Sequence, residues 1–329
     1  MNVAGDLYPW LQPVWQRLIR RDQENMLPHA LLLAGPRGLG KAEFGLRLAT
    51  YLLCRERTAD SACGECKSCR LLAAGSHPDL LQIEPEEEGK AIKVDQVRQI
   101  NHFSSQTAQF DGYKIIWINP ADALNINAAN ALLKNLEEPS GQALFILVTE
   151  QPGRLPATIR SRCHQVALSL PASQQAAEWL KQRLDDDVDL LLNLANGAPL
   201  LALRFSQSDF MAQRTELFGG MIALQQAKTD PVELAQRWQA YDLLTVLSWL
   251  DLYLSDLIKL SLTGNDEQIK NLDQKKFLLH TVKQVAVNKL YLYKDQVQEA
   301  RRGLLSGSNP NKILMLEDIL LKWSRCITG

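Results

Sequence analysis

The chain has 329 residues, 46% of them hydrophobic, with 36 basic and 37 acidic side chains and a formal net charge of −1. That length suggests two or three domains with real cores, and near-neutrality excludes a global field drawing the chain onto nucleic acid. No apolar run reaches membrane-spanning length, and Met1 to Trp10 has neither a basic n-region nor an apolar h-region, so the expectation is a cytoplasmic chain with no membrane partner.

In chain order, His29-Ala-Leu-Leu-Leu-Ala34 reads first, as a short buried parallel strand. Gly35-Pro-Arg-Gly-Leu-Gly-Lys41 follows, and Phe44, Leu48, Tyr51 and Leu52 then recur at helical spacing. Strand, glycine loop, helix is the context that makes a phosphate-binding loop credible. Gly35, Gly38 and Gly40 would turn backbone N–H groups toward an anion, and Lys41 would add a point charge. The next residue is Ala42. A phosphate loop ordinarily carries Ser or Thr there to hold Mg²⁺, and a methyl group cannot ligate a hard cation. The plainer alternative is a βα turn that binds nothing.

Cys54, Cys63, Cys66 and Cys69 have the spacing C-x8-C-x2-C-x2-C. Four thiolates close a tetrahedral shell around Zn²⁺ and leave no position for water, which is the pattern of a structural site. Metal would also order Arg55 to Ala62, a stretch with too few apolar residues to fold by burial. An iron–sulfur run would continue C-x3-C-P, whereas Cys69 leads into Arg70-Leu-Leu-Ala-Ala; four reduced thiols without metal is the remaining alternative. Crowding of four among six cysteines argues for metal rather than disulfides. Cys163 and Cys326 stand apart and read as small buried residues. Glu86-Glu-Glu88 reads as a solvated turn.

Lys114-Ile-Ile-Trp-Ile118 is the next strand, and it ends in Asn119-Pro-Ala-Asp122. A working P-loop ATPase ends this strand in an acid for Mg²⁺, often with Glu beside it for water. Asn119 and Pro120 can do neither, and Asp122, three residues late, reads as a helix cap or turn residue. Asn127 to Pro139 is a helix with the buried stripe Ala129, Leu132, Leu133 and Leu136, ended by the proline. Leu144-Phe-Ile-Leu-Val148 is a further strand, followed by Leu155 to Cys163. Ser173 to Phe205 reads as a small helical unit, with Pro171 and Ser206 to Asp209 as boundaries. After about residue 168 the β signal is gone, and from Phe210 to Gly329 only Pro231 and Pro310 interrupt long helical periodicities. Ile313, Leu316, Leu320 and Trp323 mark a final helix, with Asn309-Pro310-Asn311 as its start signal. The expected plan is an α/β P-loop domain over 1–168 (a parallel sheet with flanking helices), a helical lid over 169–207, and an all-α domain over 208–329.

N-A-L-L-K-x-L-E-E-P at Asn130 to Pro139, S-R-C at Ser161 to Cys163 and the cysteine insertion after the P-loop helix together resemble the bacterial DNA polymerase III clamp-loader subunits. The resemblance is close over the first domain and extends as a three-part layout over the whole chain. It implies an AAA+ module in the first two domains and a collar in the third that builds a ring-like pentamer. It also implies tau/gamma and delta subunits as partners, with the sliding clamp and primed DNA reached through the complex. Arg162 matches the family's arginine finger, which enters a neighbour's ATP site; a guanidinium in trans there stabilises charge on the transferring phosphoryl group. Taken without the family, Arg162 reads as a surface arginine or an internal ion pair, and Arg160 has no match. Active relatives carry an arginine at the start of a lid helix, where this chain has Leu200. Thr149 falls near the polar residue that ends the preceding strand in those relatives.

Losses at Ala42, Asn119, Pro120 and Leu200, with Arg162 kept, resemble the family's non-hydrolysing member rather than its ATP-hydrolysing tau/gamma subunit. Lys41 and the glycines are intact, so the residues alone leave the pocket either empty or holding ADP or ATP without turnover. The competing readings are an active motor of the same fold, a zinc-containing nucleic-acid binding module, and a small-molecule kinase. Near-neutral charge and the lack of interleaved basic and aromatic residues weigh against the second. Missing Mg²⁺ ligands weigh against the first and third.

Overall fold

The computed structural model describes residues 6–87, 89–110, 112–139, 141–266, 269–305 and 310–328; Glu88 of the acidic turn and Asn309 of the last start signal lie outside them. The chain divides into two compact units, Met1–Ala176 with Ala198–Leu201, and Ala177–Gly197 with Ala202–Gly329.

In chain order the first unit holds α1 (Gln12–Gln23), β1 (Ala30–Ala34), α2 (Lys41–Leu53), α3 (Lys67–Ala73), β2 (Leu80–Ile83), α4 (Val94–Ser105), β3 (Lys114–Ile118), α5 (Ile126–Glu137), β4 (Ala143–Thr149), α6 (Ala157–Arg160) and β5 (His164–Ala167). The five strands form one parallel sheet in the order β2-β3-β4-β1-β5. The central strands are apolar throughout because both faces are covered. Ala30, Leu32, Ile116, Ile118, Phe145 and Leu147 share a core with Val97 and Ile100 of α4 and Ala128 and Leu132 of α5. On the opposite face α2 approaches closely: a Cβ on Gly45 would lie 2.8 Å from Trp117 Nε1 and 3.2 Å from a methyl of Leu33.

The expected α/β P-loop domain, a parallel sheet with flanking helices, is therefore what forms. The β1, β3 and β4 cores fall where their apolar runs predict, and of the α5 stripe Ala129, Leu132 and Leu136 are buried while Leu133 is half-buried at its margin. The edge strands β2 and β5, and helices α1, α3 and α4, carry no expectation above. Leu80-Leu-Gln-Ile83 is mostly half-buried and His164-Gln-Val-Ala167 exposes three of its four residues, so neither has the continuous apolar run that marks a central strand.

Helix α7 (Ser173–Lys181) begins in the first unit; α8 (Val188–Leu194) belongs to the second, and α9 (Pro199–Ser206) begins in the first. The second unit continues with α10 (Phe210–Gln225), α11 (Pro231–Trp238), α12 (Leu243–Thr263), α13 (Lys275–Thr281), α14 (Val287–Leu305) and α15 (Lys312–Thr328). The absence of β structure there matches expectation among the described residues. Trp238, Tyr253, Tyr293 and Trp323 fill its core, and each large buried side chain contributes roughly 1.5–3 kcal/mol of transfer free energy. Asp242 starts α12 by accepting the Thr245 N–H at 2.8 Å, and Gly264 ends it in the left-handed region, φ 64°. Asn311 accepts the Leu314 N–H at 3.2 Å at the start of α15, so one residue of the predicted start signal acts as the cap. Among the described residues no single helix is long and apolar enough to cross a membrane.

Candidate functional site

The phosphate loop follows β1, the strand at which the sheet order reverses. In open parallel sheets that position, at the carboxyl ends of the strands, is where ligands are placed. The loop is built for tight backbone turns: Gly38 and Gly40 sit at φ 79° and 82°, a region that favours glycine. The space over them is taken by this chain. A Cβ on Gly38 would lie 2.6 Å from Leu201 Cβ, and one on Gly40 would lie 2.4 Å from the Tyr8 ring and 3.2 Å from a Leu200 methyl. Leu200 N–H donates to Gly38 O at 3.1 Å, so the first turn of α9 is bonded to the loop. From the other side Tyr8 stacks on Trp10, whose Nε1 donates to Leu39 O at 3.0 Å.

Lys41 is 4% exposed and its ammonium donates to Pro36 O at 2.6 Å, inside its own loop. Glu150 Oε1 lies 3.8 Å away. Burial holds the Lys41 ammonium below its usual pKa, against the pull of Glu150 and Asp122. Leu200 thus stands beside the loop with an apolar side chain.

The end of β3 is also internally satisfied. Asn119 Nδ2 donates to Glu84 Oε1 at 3.5 Å. Asp122 lies in the short 3-10 turn Ala121–Ala123, a turn residue as expected. Its carboxylate accepts the fully buried Thr149 hydroxyl at 2.6 Å and the Glu150 N–H at 3.2 Å. Thr149 pairs in register with Ala34, the residue before the loop. Asp122 and Thr149 therefore close a bridge between the ends of β3 and β4.

Cys54 ends α2, Cys66 caps α3 and Cys69 lies in its first turn. With Cys63 they bring four sulfurs within 4.8 Å of one another. Cys54 to Cys63 is 3.5 Å; Cys54 to Cys66 and Cys63 to Cys69 are each 3.9 Å. A tetrahedron of thiolates at Zn–S distances of about 2.3 Å has edges of about 3.8 Å, so the set fits a tetrahedral metal ion. N–H groups of Cys63, Cys66 and Cys69 donate to the sulfurs of Cys54, Cys63 and Cys66 at 3.3, 3.3 and 3.5 Å. Burial raises Cys54 and Cys69, whereas at Cys66 the N–H donors of Cys69 and Arg55 outweigh burial and hold the thiol at about 6. The loop from Arg55 to Ala62 has anchors besides the cysteines. Trp15 Nε1 donates to Asp60 O at 2.9 Å, Gln23 Nε2 to Ala59 O at 3.0 Å, and Arg57 pairs with the buried Asp22 at 2.9 Å. Beneath the cluster, Ser68 Oγ meets His77 Nε2 at 2.8 Å while His77 Nδ1 accepts the Asp79 N–H at 3.0 Å, tying α3 to the start of β2.

Arg162 follows α6 and its side chain is 34% exposed. Nη1 donates to Thr158 O at 2.9 Å, and Nη2 pairs with Glu137 Oε1, from the last residue of α5. Cys163 beside it is buried, and burial raises its thiol to about 11. Arg160 Nε is buried without a partner. Cys326 is partly buried against the core of the second unit.

The candidate site residues are therefore placed: Gly35, Gly38, Gly40 and Lys41 in one loop, four cysteines in one cluster, and Arg162 at a separate surface. Tyr8, Trp10, Leu201 and Glu137 escaped sequence reasoning. Their partners lie 25 to over 150 positions away, and no local pattern signals such a contact.

A family model described as "DNA polymerase III, delta subunit" matches residues 10–172, and one described as "DNA polymerase III, delta subunit, C terminal" matches residues 208–325. The DNA polymerase III subunit delta' of Pseudomonas aeruginosa is 39% identical over 324 residues, covering 97% of this chain and 98% of that protein. Its namesake from Escherichia coli is 32% identical over 318 residues, covering 96% and 94%. DNA polymerase III subunit tau of Bacillus subtilis is 36% identical over 157 residues, which is 48% of this chain and 27% of that protein.

Proposed function

From the premise that this chain belongs to the DNA polymerase III subunit delta' family, we propose that it is the clamp-loader subunit that does not hydrolyse ATP itself. Its Arg162 then serves as an arginine finger in the ATP site of a neighbouring tau/gamma-type subunit. The complex, including a delta subunit, loads the sliding clamp on primed DNA in the cytoplasm.

The observation that carries this reading is the contrast between the two halves of the chemistry. At the phosphate loop, Lys41 is held by Pro36 O, the glycines are covered by Tyr8, Leu200 and Leu201, and Ala42 offers no oxygen. At the other surface a guanidinium stands partly exposed on a short turn. The covered loop also favours an empty pocket over bound ADP or ATP. An active motor would need Mg²⁺ held without the Ser or Thr hydroxyl and without an acid ending β3.

The three-part layout belongs to the same proposal: a P-loop domain over 1–168, a lid over 169–207 and a helical collar over 208–329. Exposed Leu292 on α14 and Leu314 and Leu321 on α15 suit contacts with other subunits in the collar. The four-cysteine cluster is assigned a structural Zn²⁺, held by Cys54, Cys63, Cys66 and Cys69. With all four positions filled by protein, such an ion supplies folding energy and no catalysis.

The test is reconstitution of the complex with its ATP-hydrolysing partners. Arg162→Ala is expected to assemble normally and to lower DNA-stimulated ATPase several-fold, because the one site it serves loses a term worth about 10³–10⁵ in analogous phosphoryl transfers. Unchanged ATPase would remove the finger role.

A further inference from the structure

The arginine assigned as the finger is engaged within its own chain. Arg162 Nη2 pairs with Glu137 and Nη1 with the Thr158 carbonyl. Both supports are rigid. Leu136, beside Glu137, and Ile159, between Thr158 and Arg162, are buried in one core, at 1% and 0% exposure. His29 Nε2 meets Leu136 O at 3.0 Å, fixing the end of α5 against the start of β1. The charged ends remain wet: Arg162 is 34% exposed and Glu137 49%.

We infer that Glu137 is a positioning residue for the trans-acting arginine, a docking anion that competes with the neighbour's γ-phosphate for the same guanidinium edge. This rests on the finger reading of Arg162. The reason is chemical. A guanidinium offers five N–H donors in a planar fork, and carboxylate and phosphate oxygens recognise that fork in the same way. While Glu137 occupies Nη2, that edge is unavailable to a phosphate and its charge is partly neutralised. Thr158 O, being uncharged, orients the side chain without that effect.

The exposure of the pair sets the size of the effect. Ion pairs in water shift an equilibrium by roughly 1.5- to 5-fold. That is enough to keep the arginine docked on its own chain, and too little to prevent a correctly placed phosphate from displacing the carboxylate. Glu137 therefore lowers turnover in a loosely assembled neighbour site more than in a closed one.

The experiment uses the reconstituted complex with its ATPase partners. Glu137→Gln keeps the size and an acceptor oxygen and removes the charge. It is expected to raise the DNA-independent kcat about two- to five-fold at unchanged KM, with the gain shrinking as salt screens the pair. The double variant Glu137→Gln with Arg162→Ala should match Arg162→Ala alone. A merely structural role for Glu137 would not raise kcat, and would not make the change depend on Arg162. If Glu137→Gln leaves kcat unchanged or lowers it while Arg162→Ala still lowers the rate, the positioning role is overturned and the finger reading stands. If Arg162→Ala itself has no effect, the finger reading falls and this inference with it.

Discussion

Lys41 shows how a side chain intact in type can be bonded within its own loop. A P-loop lysine reaches phosphate as an unattached point charge. Here its ammonium is buried and bonded to Pro36 O at 2.6 Å. Restoring chemistry at a single neighbouring position therefore leaves the loop closed. Ala42→Ser supplies the missing hydroxyl but does not move Tyr8, Leu200 or Leu201 from the glycines. The isolated variant is expected to show no saturable binding of a fluorescent ATP analogue with Mg²⁺ in fluorescence titration, like the parent chain. Saturable binding by Ala42→Ser alone would show that the cover leaves room for nucleotide. Ala42 could be read as a deficiency from the motif, but the cover could not, because Leu201 reaches Gly38 across more than 150 residues of chain.

Among elements, the cysteine cluster and α1 form one mechanical piece. Cys54 and Cys63 bracket a loop whose backbone carbonyls at Ala59 and Asp60 accept from Gln23 and Trp15 of α1. Asp22 of the same helix receives Arg57 and the Tyr113 hydroxyl. The short segment before α1 carries Tyr8 and Trp10 onto the phosphate loop. Cysteine spacing alone announced that the four sulfurs would cluster, since C-x2-C steps bring sulfurs together locally around the start of α3. The grip on α1 was invisible because it uses a Trp and a Gln more than thirty residues upstream. With the proposed structural Zn²⁺, the parent is expected to carry about one zinc per chain and Cys66→Ser to lose it, at a cost on the order of 4 kcal/mol. Trypsin should then cut at Arg55 and Arg57. Metal analysis, thermal melts and peptide mapping check this, and an unchanged zinc content or digestion pattern would contradict it.

At the level of the whole molecule, the two units are held by different means. The first is organised by a sheet buried on both faces. The second packs helices around aromatic side chains and includes a largely buried polar network around Arg214. Arg214, 1% exposed, donates to Asp273 at 2.6 and 2.8 Å and to Asn271 at 2.7 Å. Asn271 in turn donates to the fully buried Asp256 at 2.7 Å, which also accepts the N–H groups of Lys270 and Asn271. Despite burial, the hydrogen bonds from Arg214 and Gln274 hold the Asp273 carboxyl below its usual range. Arg214→Met removes the buried arginine from a partly exposed Asp273 and leaves the buried Asn271 Oδ1 without its donor, and it is expected to destabilise the second unit by about 1–3 kcal/mol. Any zinc held by the cysteine cluster of the first unit should be retained. Chemical denaturation followed by circular dichroism measures the loss; a change below about 1 kcal/mol would show that the network is not structural.

The sequence by itself determined the classes of structure and the candidate chemistry. The apolar runs of β1, β3 and β4 are continuous, the stripe on α5 has helical period, and the cysteines and glycines stand close in the chain, so each is local information. Edge strands β2 and β5 lacked that signal because one side of each faces solvent and tolerates polar residues. Only the tertiary structure decided which groups are already engaged: Lys41 with Pro36, Asp122 with Thr149, Arg162 with Glu137, and the loop glycines with Tyr8 and Leu201. Most of these contacts join segments distant in sequence, and the bend of Lys41 onto Pro36 depends on the same folded loop. Their residue types are ordinary, so what makes them partners is proximity created by the packed sheet rather than any pattern written along the chain.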